Sequence, residues 1–189
     1  MRGRIGLWRY STIRWRERLD LGAPEVRDLV ALLAKRHIIV QSSFCVYEAI
    51  GRRGDSATSA GVTNKFKAFG RQLHAAGVPI VVGTDNACPI AHEFEILRDI
   101  GYSNGELLHI ATVDAARVMG RDADVGVIAS GMKADILVCD GDPLSAIADV
   151  ARLSSVMKAG VLYDDLARLR MPLPFLPADR GDFRHLKKR

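Results

Sequence analysis

Two short apolar runs, Ile38-Ile39-Val40 in "IIVQSSF" and Ile80-Val81-Val82 in "VPIVVGTD", carry no polar alternation. A strand with one face in water alternates apolar and polar residues; a strand that does not must be covered on both faces. The segments around these runs supply the covers. In "APEVRDLVALLAKRH", Pro24 holds a first-turn position, and Val26, Leu29, Val30 and Leu33 form one stripe. In "TNKFKAFGRQLHAAG", Phe66, Phe69 and Leu73 share a face, with Thr63 as the expected cap and Gly77 as the terminator. Helix, strand, helix, strand is the order of a parallel α/β layer. It predicts parallel strands near 38–42 and 80–83, with helices near 24–36, 63–76 and 103–119.

The remaining punctuation is local. "EAIGRRGDSATSAG" (48–61) reads as a loop by its Gly, Ser and charge content. "SNGELLHIA" opens with a capping box, Ser103 with Glu106, and Thr112 is expected to cap a further short helix closed by Gly120. Beyond Gly120 the texture changes. "DVGVIASGMKADILVCDGD" and "LSSVMKAGVLYD" hold β runs broken by glycine, which predict a separate antiparallel unit. From Asp164 onward Pro172, Pro174 and Pro177 punctuate a tail without periodicity. The expected division is a basic segment at 1–21, an α/β layer at 22–120, β strands at 121–163 and a tail at 164–189.

At 189 residues the chain suits one ordinary domain or slightly more. No apolar run approaches the roughly 20 residues that span a bilayer, and the opening "MRGRIGLWRYSTIRWRERL" never settles into the apolar core of a secretory signal. Cys45, Cys88 and Cys139 are odd in number and widely spaced, so they read as buried thiols of a cytoplasmic protein, without disulfides or a zinc knuckle. The net charge of +5 is concentrated at the ends: six arginines precede Asp20, and "RGDFRHLKKR" closes the chain. Basic ends that solvate an ordinary interior are preferred over a nucleic-acid surface. "RRGDS" (52–56) and "RGDF" (180–183) read as exposed turns. No phosphate-binding glycine loop is present, and no elbow pattern supports a serine nucleophile.

Chemistry points to Asp85, which stands where the second apolar run stops at Gly83-Thr84. An aspartate there is either an Asx-turn former or a catalytic group. Of the five histidines, His37 precedes the first run, His74 and His109 lie in amphipathic helices, and His185 is in the tail. Only His92, in the loop expected after the second run, shares the end of the layer that holds Asp85. Ser42 and Ser43 end the first run, where a substrate-pocket rim would be.

Four stretches in order, "LHAAGVPIVVGTD", "HEFEILRDIGYSNGELLHIATVDAARVMG", "DVGVIASGMKADILVCDGDPL" and "VMKAGVLYD", resemble the C-terminal part of metal-dependent amidohydrolases, especially their imidazolonepropionase-like and prolidase-like branch. The resemblance runs from about Ala23 to Tyr163. It implies a partial (β/α)8 (TIM) barrel, its last strands and helices, followed by part of a small β-sandwich. It makes "IIVQSSF" strand seven and "IVVGTD" strand eight, with catalysis at the C-terminal strand ends. Asp85 then matches the family aspartate that binds the metal and carries a proton from the attacking water to the leaving group. The implied cofactor is a divalent metal, zinc or similar, and the implied substrate a small amide, cyclic amide or dipeptide. The family's other ligands come from earlier strands that this chain does not show. Asp85 would therefore bind metal only if those ligands were supplied, and the chain alone is expected to bind none and to be inactive. A non-catalytic interaction protein and one half of a two-chain enzyme are the alternatives. Sheet edges cut from a barrel would also favour self-association or a complementing chain.

Overall fold

The computed structural model describes residues 19–51, 56–85 and 88–166. Most of the basic opening segment, both Arg-Gly-Asp tripeptides as units and the proline-punctuated tail lie outside the described residues. The first helix, α1 (Pro24–Lys35), starts with proline at its first turn and ends on His37 in the left-handed region (φ 49°). There the His37 N–H donates to the Ala34 carbonyl and the Ile38 N–H to the Leu33 carbonyl, the paired bonds of a Schellman motif. Its buried stripe is rotated from the expected one. Val30 is buried with Leu73 and Val78, and Leu33 packs on them, whereas Leu29 stays 48% exposed.

Strands β1 (Val40–Gln41) and β2 (Ile80–Val81) lie side by side and parallel, with Val40 opposite Ile80 and Gln41 opposite Val81. The Val40 N–H donates to Pro79 O (3.0 Å) and the Ser42 N–H to Val81 O (2.9 Å). The parallel pairing expected from the two apolar runs holds, over fewer residues than 38–42 and 80–83. Between the strands lie α2 (Phe44–Gly51) and α3 (Ser56–Ala75), two helices over much of the segment expected to be a loop. Thr63 is correspondingly inside α3 and does not cap it. Long-range packing accounts for the difference: Phe44, Cys45 and Val62 are buried, and the Tyr47 and Phe66 rings stack at 3.8 Å. That burial outweighs the modest helix propensity of Gly and Ser. Gly77 (φ 68°) ends α3 as expected.

Helix α4 (Ile90–Ile100) carries the centre of the core, with Phe94, Ile96, Leu97 and Ile100 against Phe44, Cys45, Ile80, Leu107 and Ile110. It lies close to α3 because residue 70 is glycine: a Cβ there would sit 2.6 Å from Ile100 Cδ1 and 3.1 Å from Phe44 Cζ. The Ser103 capping box is present, with the Glu106 N–H donating to Ser103 Oγ and the Ser103 N–H to Glu106 Oε2 (2.7 Å). It opens α5 (Asn104–His109), which continues through a π turn (Ile110–Asp114) into α6 (Ala115–Val118). Thr112 caps nothing; its hydroxyl donates to Leu108 O (2.6 Å) within this continuous helix.

After Gly120 the chain forms the antiparallel sheet β3 (Ile136–Cys139), β4 (Leu153–Lys158), β5 (Val161–Tyr163), in that order. A two-residue loop joins β4 to β5, with Ala159 (φ 49°) and Gly160 (φ 83°) both left-handed, the geometry that matches strand twist. The Asp135 carboxylate holds the loop by accepting the Ala159 N–H (2.8 Å) and pairing with Lys158. Ile147, in the 3-10 turn Ile147–Ala151 before β4, is buried in the same core as α4. No described helix is long and apolar enough to cross a membrane.

Candidate active site

The segments that leave β1 and β2 meet at one end of the parallel pair. Gly83 allows the meeting: a Cβ there would fall 2.0 Å from Gln41 Nε2 and 2.7 Å from Gln41 Cγ. Beside it, Ser42 Oγ accepts the Gly83 N–H at 3.4 Å. Ser42 is buried and ties the two strand ends together. Ser43 (φ 59°) and Asp85 (φ 46°) are both non-glycine residues in the left-handed region, one after each strand. Backbone outliers of this kind cluster where side-chain placement matters. The Asp85 side chain is exposed.

The residue that organises this end was not foreseen as a site residue. Glu93, in the first turn of α4, is fully buried. Its Oε1 accepts the Phe44 N–H and its Oε2 the Cys45 N–H, both at 2.8 Å. The carboxylate thus satisfies two orphan donors at the start of α2 and meets the positive end of that helix. A glutamate on the apolar side of "HEFEIL", one residue before Phe94, was the available signal.

His92 is in the first turn of α4, not in a loop. Its Nε2 pairs with Glu48 Oε2 and its Nδ1 lies 3.3 Å from Glu95 Oε2. Both ring nitrogens face carboxylates.

The expectation of three free thiols is overturned. Cys45 and Cys88 are disulfide-bonded with Cα atoms 6.3 Å apart, within the range such bridges adopt, and Cys139 is free. The 43-residue separation hid the pairing, since partners cannot be read from so few cysteines. Among the described residues, the cluster with metal-ligand spacing is Cys45, Cys88 and Glu93, whose ligand atoms lie within 4.8 Å of one another. Its sulfurs are bonded to each other, its carboxylate is committed to two N–H groups, and it excludes Asp85. The described residues do not by themselves fit a catalytic divalent metal at Asp85.

A cavity of about 520 Å³ lies along β2 and is lined by Ile39, Val78, Ile80, Tyr102, Ile110 and Val118, among others. Neither Asp85 nor His92 borders it. The Tyr102 hydroxyl there is pushed up to about 12, first by burial and then by the Glu106 carboxylate.

The model of the amidohydrolase family matches residues 29–163, most of the chain and all of the elements just described from the middle of α1 to β5. The chain belongs to the amidohydrolase family. Solved structures agree. A prolidase in complex with N-methylphosphonate-L-proline is 28% identical, with a TM-score of 0.63 over 73% of this chain and 38% of that one. A putative prolidase from Bifidobacterium longum is 28% identical, with a TM-score of 0.56 over 75% of this chain and 37% of the other. A Xaa-Pro dipeptidase with methionine in its active site shares the fold at 21% identity, with a TM-score of 0.63 over 75% and 37% of the two chains. This amidohydrolase chain therefore spans less than two fifths of the length of these structures. No curated protein matches it.

Proposed function

We propose that this amidohydrolase chain carries the closing strands of a (β/α)8 barrel and part of its β-sandwich, and serves metal-dependent hydrolysis of C–N bonds in small amides, cyclic amides or dipeptides. The dipeptide class is favoured because a 28%-identical neighbour is a prolidase. The observation that carries the reading is Asp85, an exposed carboxylate four residues beyond the C-terminal end of a strand in a parallel pair, on the side where barrels place their chemistry. Asp85 takes a proton from the attacking water and returns it to the leaving nitrogen, the work of a general base that becomes a general acid. Ser42 fixes the spacing of the two strand ends. Ser43 and His92 belong to the pocket rim, with Glu48 and Glu95 setting the His92 ring.

The described residues do not complete this site, so we place the remaining ligands on further barrel strands. The coverage of less than two fifths of the related structures supports that placement. A complementing polypeptide, or self-association, is the expected partner arrangement, and the cytoplasm the site of action.

The test compares the purified chain with an assembly in which a prolidase-like polypeptide supplies the other strands. Proline dipeptides and lactams are assayed with zinc or manganese, and metal is counted after dialysis. The chain alone should retain no stoichiometric metal and show no turnover. The assembly should gain an activity that falls by about a hundredfold or more in Asp85→Ala. Turnover of the assembly that ignores Asp85→Ala would sink the reading.

A further inference from the structure

We propose that Cys45 and Cys88 are a reversible thiol–disulfide exchange site that ties the start of α2 to the segment entering α4. The pair goes beyond the hydrolytic reading, and only its consequence for Asp85 rests on that reading. Three features carry it. Cys88 is half-buried and so gives a reductant a way in, whereas Cys45 is only 2% exposed. When the bond opens, Cys45 is not left without a partner: its Sγ lies 3.7 Å from the Thr84 carbonyl oxygen, an acceptor for the new S–H. The bonds from the Phe44 and Cys45 N–H groups to Glu93 involve neither sulfur, so the start of α2 has a cap that does not depend on the disulfide. Both redox forms are therefore accommodated by the same packing.

The exchange balances with a low-molecular-weight thiol. Its thiolate attacks Cys88 Sγ, the S–S bond breaks, and Cys45 leaves as a thiolate that takes a proton from water. A second thiolate attacks the mixed disulfide, releasing Cys88 and an oxidised disulfide; a low-molecular-weight disulfide runs both steps backwards. The consequence is local. Three peptide units of chain join Asp85 to Cys88, a reach of about 10 Å, and Thr84 contacts Cys45 directly. Oxidation ties Cys88 to the start of α2 three residues beyond Asp85, and reduction releases that tie.

The full chain is treated under native conditions with millimolar reduced glutathione and then with glutathione disulfide. Free thiols are located by alkylation and peptide mapping at each stage. Cys45 and Cys88 should open together and re-pair with each other, Cys139 should remain a thiol, and the far-UV circular dichroism should hold. Amide exchange across Phe44–Glu48 should rise roughly tenfold on reduction, while α3 near Leu73 stays unchanged. A Cys45→Ser, Cys88→Ser double variant should exchange like the reduced chain. Three results would overturn the proposal: a bond that stays shut in the folded protein, pairing through Cys139, or loss of helical signal on reduction, which marks a permanent staple. Exchange of the double variant like the oxidised chain would do the same. None of these readouts uses hydrolysis, so the proposal and the hydrolytic reading can fail separately.

Discussion

Glu93 shows how much one side chain can organise. A carboxylate with no solvent exposure is costly unless its lone pairs are filled, and here two backbone N–H groups fill them. Replacing it with alanine leaves both donors buried without an acceptor. Glu93→Ala should therefore lower unfolding free energy by about 3 kcal/mol, read from urea midpoints. Glu93→Gln should fall between, because the amide keeps one acceptor oxygen and turns a donor toward the other N–H. A loss below about 0.5 kcal/mol in Glu93→Ala would mean that water replaces the carboxylate and that the cap does not organise the site. Asp85 differs in kind. Its side chain is exposed and its backbone left-handed, a conformation that aspartate tolerates better than most residues. Its replacement should cost activity of the assembled enzyme and little stability.

Among the elements, the helix that begins at Ser103 has a pH dependence with a definite sign. Hydrogen bonds from the Ser103 side chain and backbone, in that order, hold the Glu106 carboxyl below its ordinary range. A lowered folded-state pKa contributes stability that is present above the unfolded pKa and lost as pH falls through the folded one. At neutral pH, Ser103→Ala should cost about 1 kcal/mol. That cost should shrink as pH drops through the carboxylate range, since a protonated Glu106 no longer accepts two bonds. The Ser103 bond to the Glu106 N–H does not titrate, so part of the cost persists. Thermal melts of both proteins across that range provide the check; a difference that stays flat would show that the Ser103 hydroxyl bond to the Glu106 carboxylate contributes nothing. The β4–β5 loop carries a similar device, because Lys158 and the Ala159 N–H keep the Asp135 carboxyl low.

Across the described residues as a whole, apolar surface is left uncovered. Ile38 and Ile39 before β1 are each 46% exposed, Leu137, Val161 and Leu162 on the antiparallel sheet are each more than half exposed, and Ile128 is 83% exposed. Val82, just after β2, is partly buried against the core. Strands β1 and β2 form a two-stranded sheet, and such a pair is marginal without further strands or helices over its faces. At roughly 25 cal/mol per Å², a few hundred Å² of such surface corresponds to several kcal/mol, comparable with the net stability of a domain. The isolated chain should therefore sediment as oligomers whose population grows with concentration, and a polypeptide supplying neighbouring strands should suppress them. A monodisperse monomer with one cooperative unfolding transition in analytical ultracentrifugation and melting experiments would contradict this.

What the sequence determined by itself was local or periodic. The two apolar runs specified parallel neighbours because a strand without alternation has no face to give to water. Ser103 with Glu106, and Gly77, specified helix ends because capping acts within four or five residues. The family pattern singled out Asp85 as a candidate because its residues follow one another along the chain. What only the tertiary structure decided depends on residues far apart. Cys45 meets Cys88 across 43 residues, and Glu93 caps Phe44 across 49. His92 finds Glu48 across 44 residues, so its role could not be read from its own helix. The helices α2 and α3 take up positions 48–51 and 56–61 of the expected loop because burial of Phe44, Cys45 and Val62 supplies what local propensity does not. Short-range preferences are written within one turn of chain, whereas burial and long-range pairing exist only once distant segments have come together.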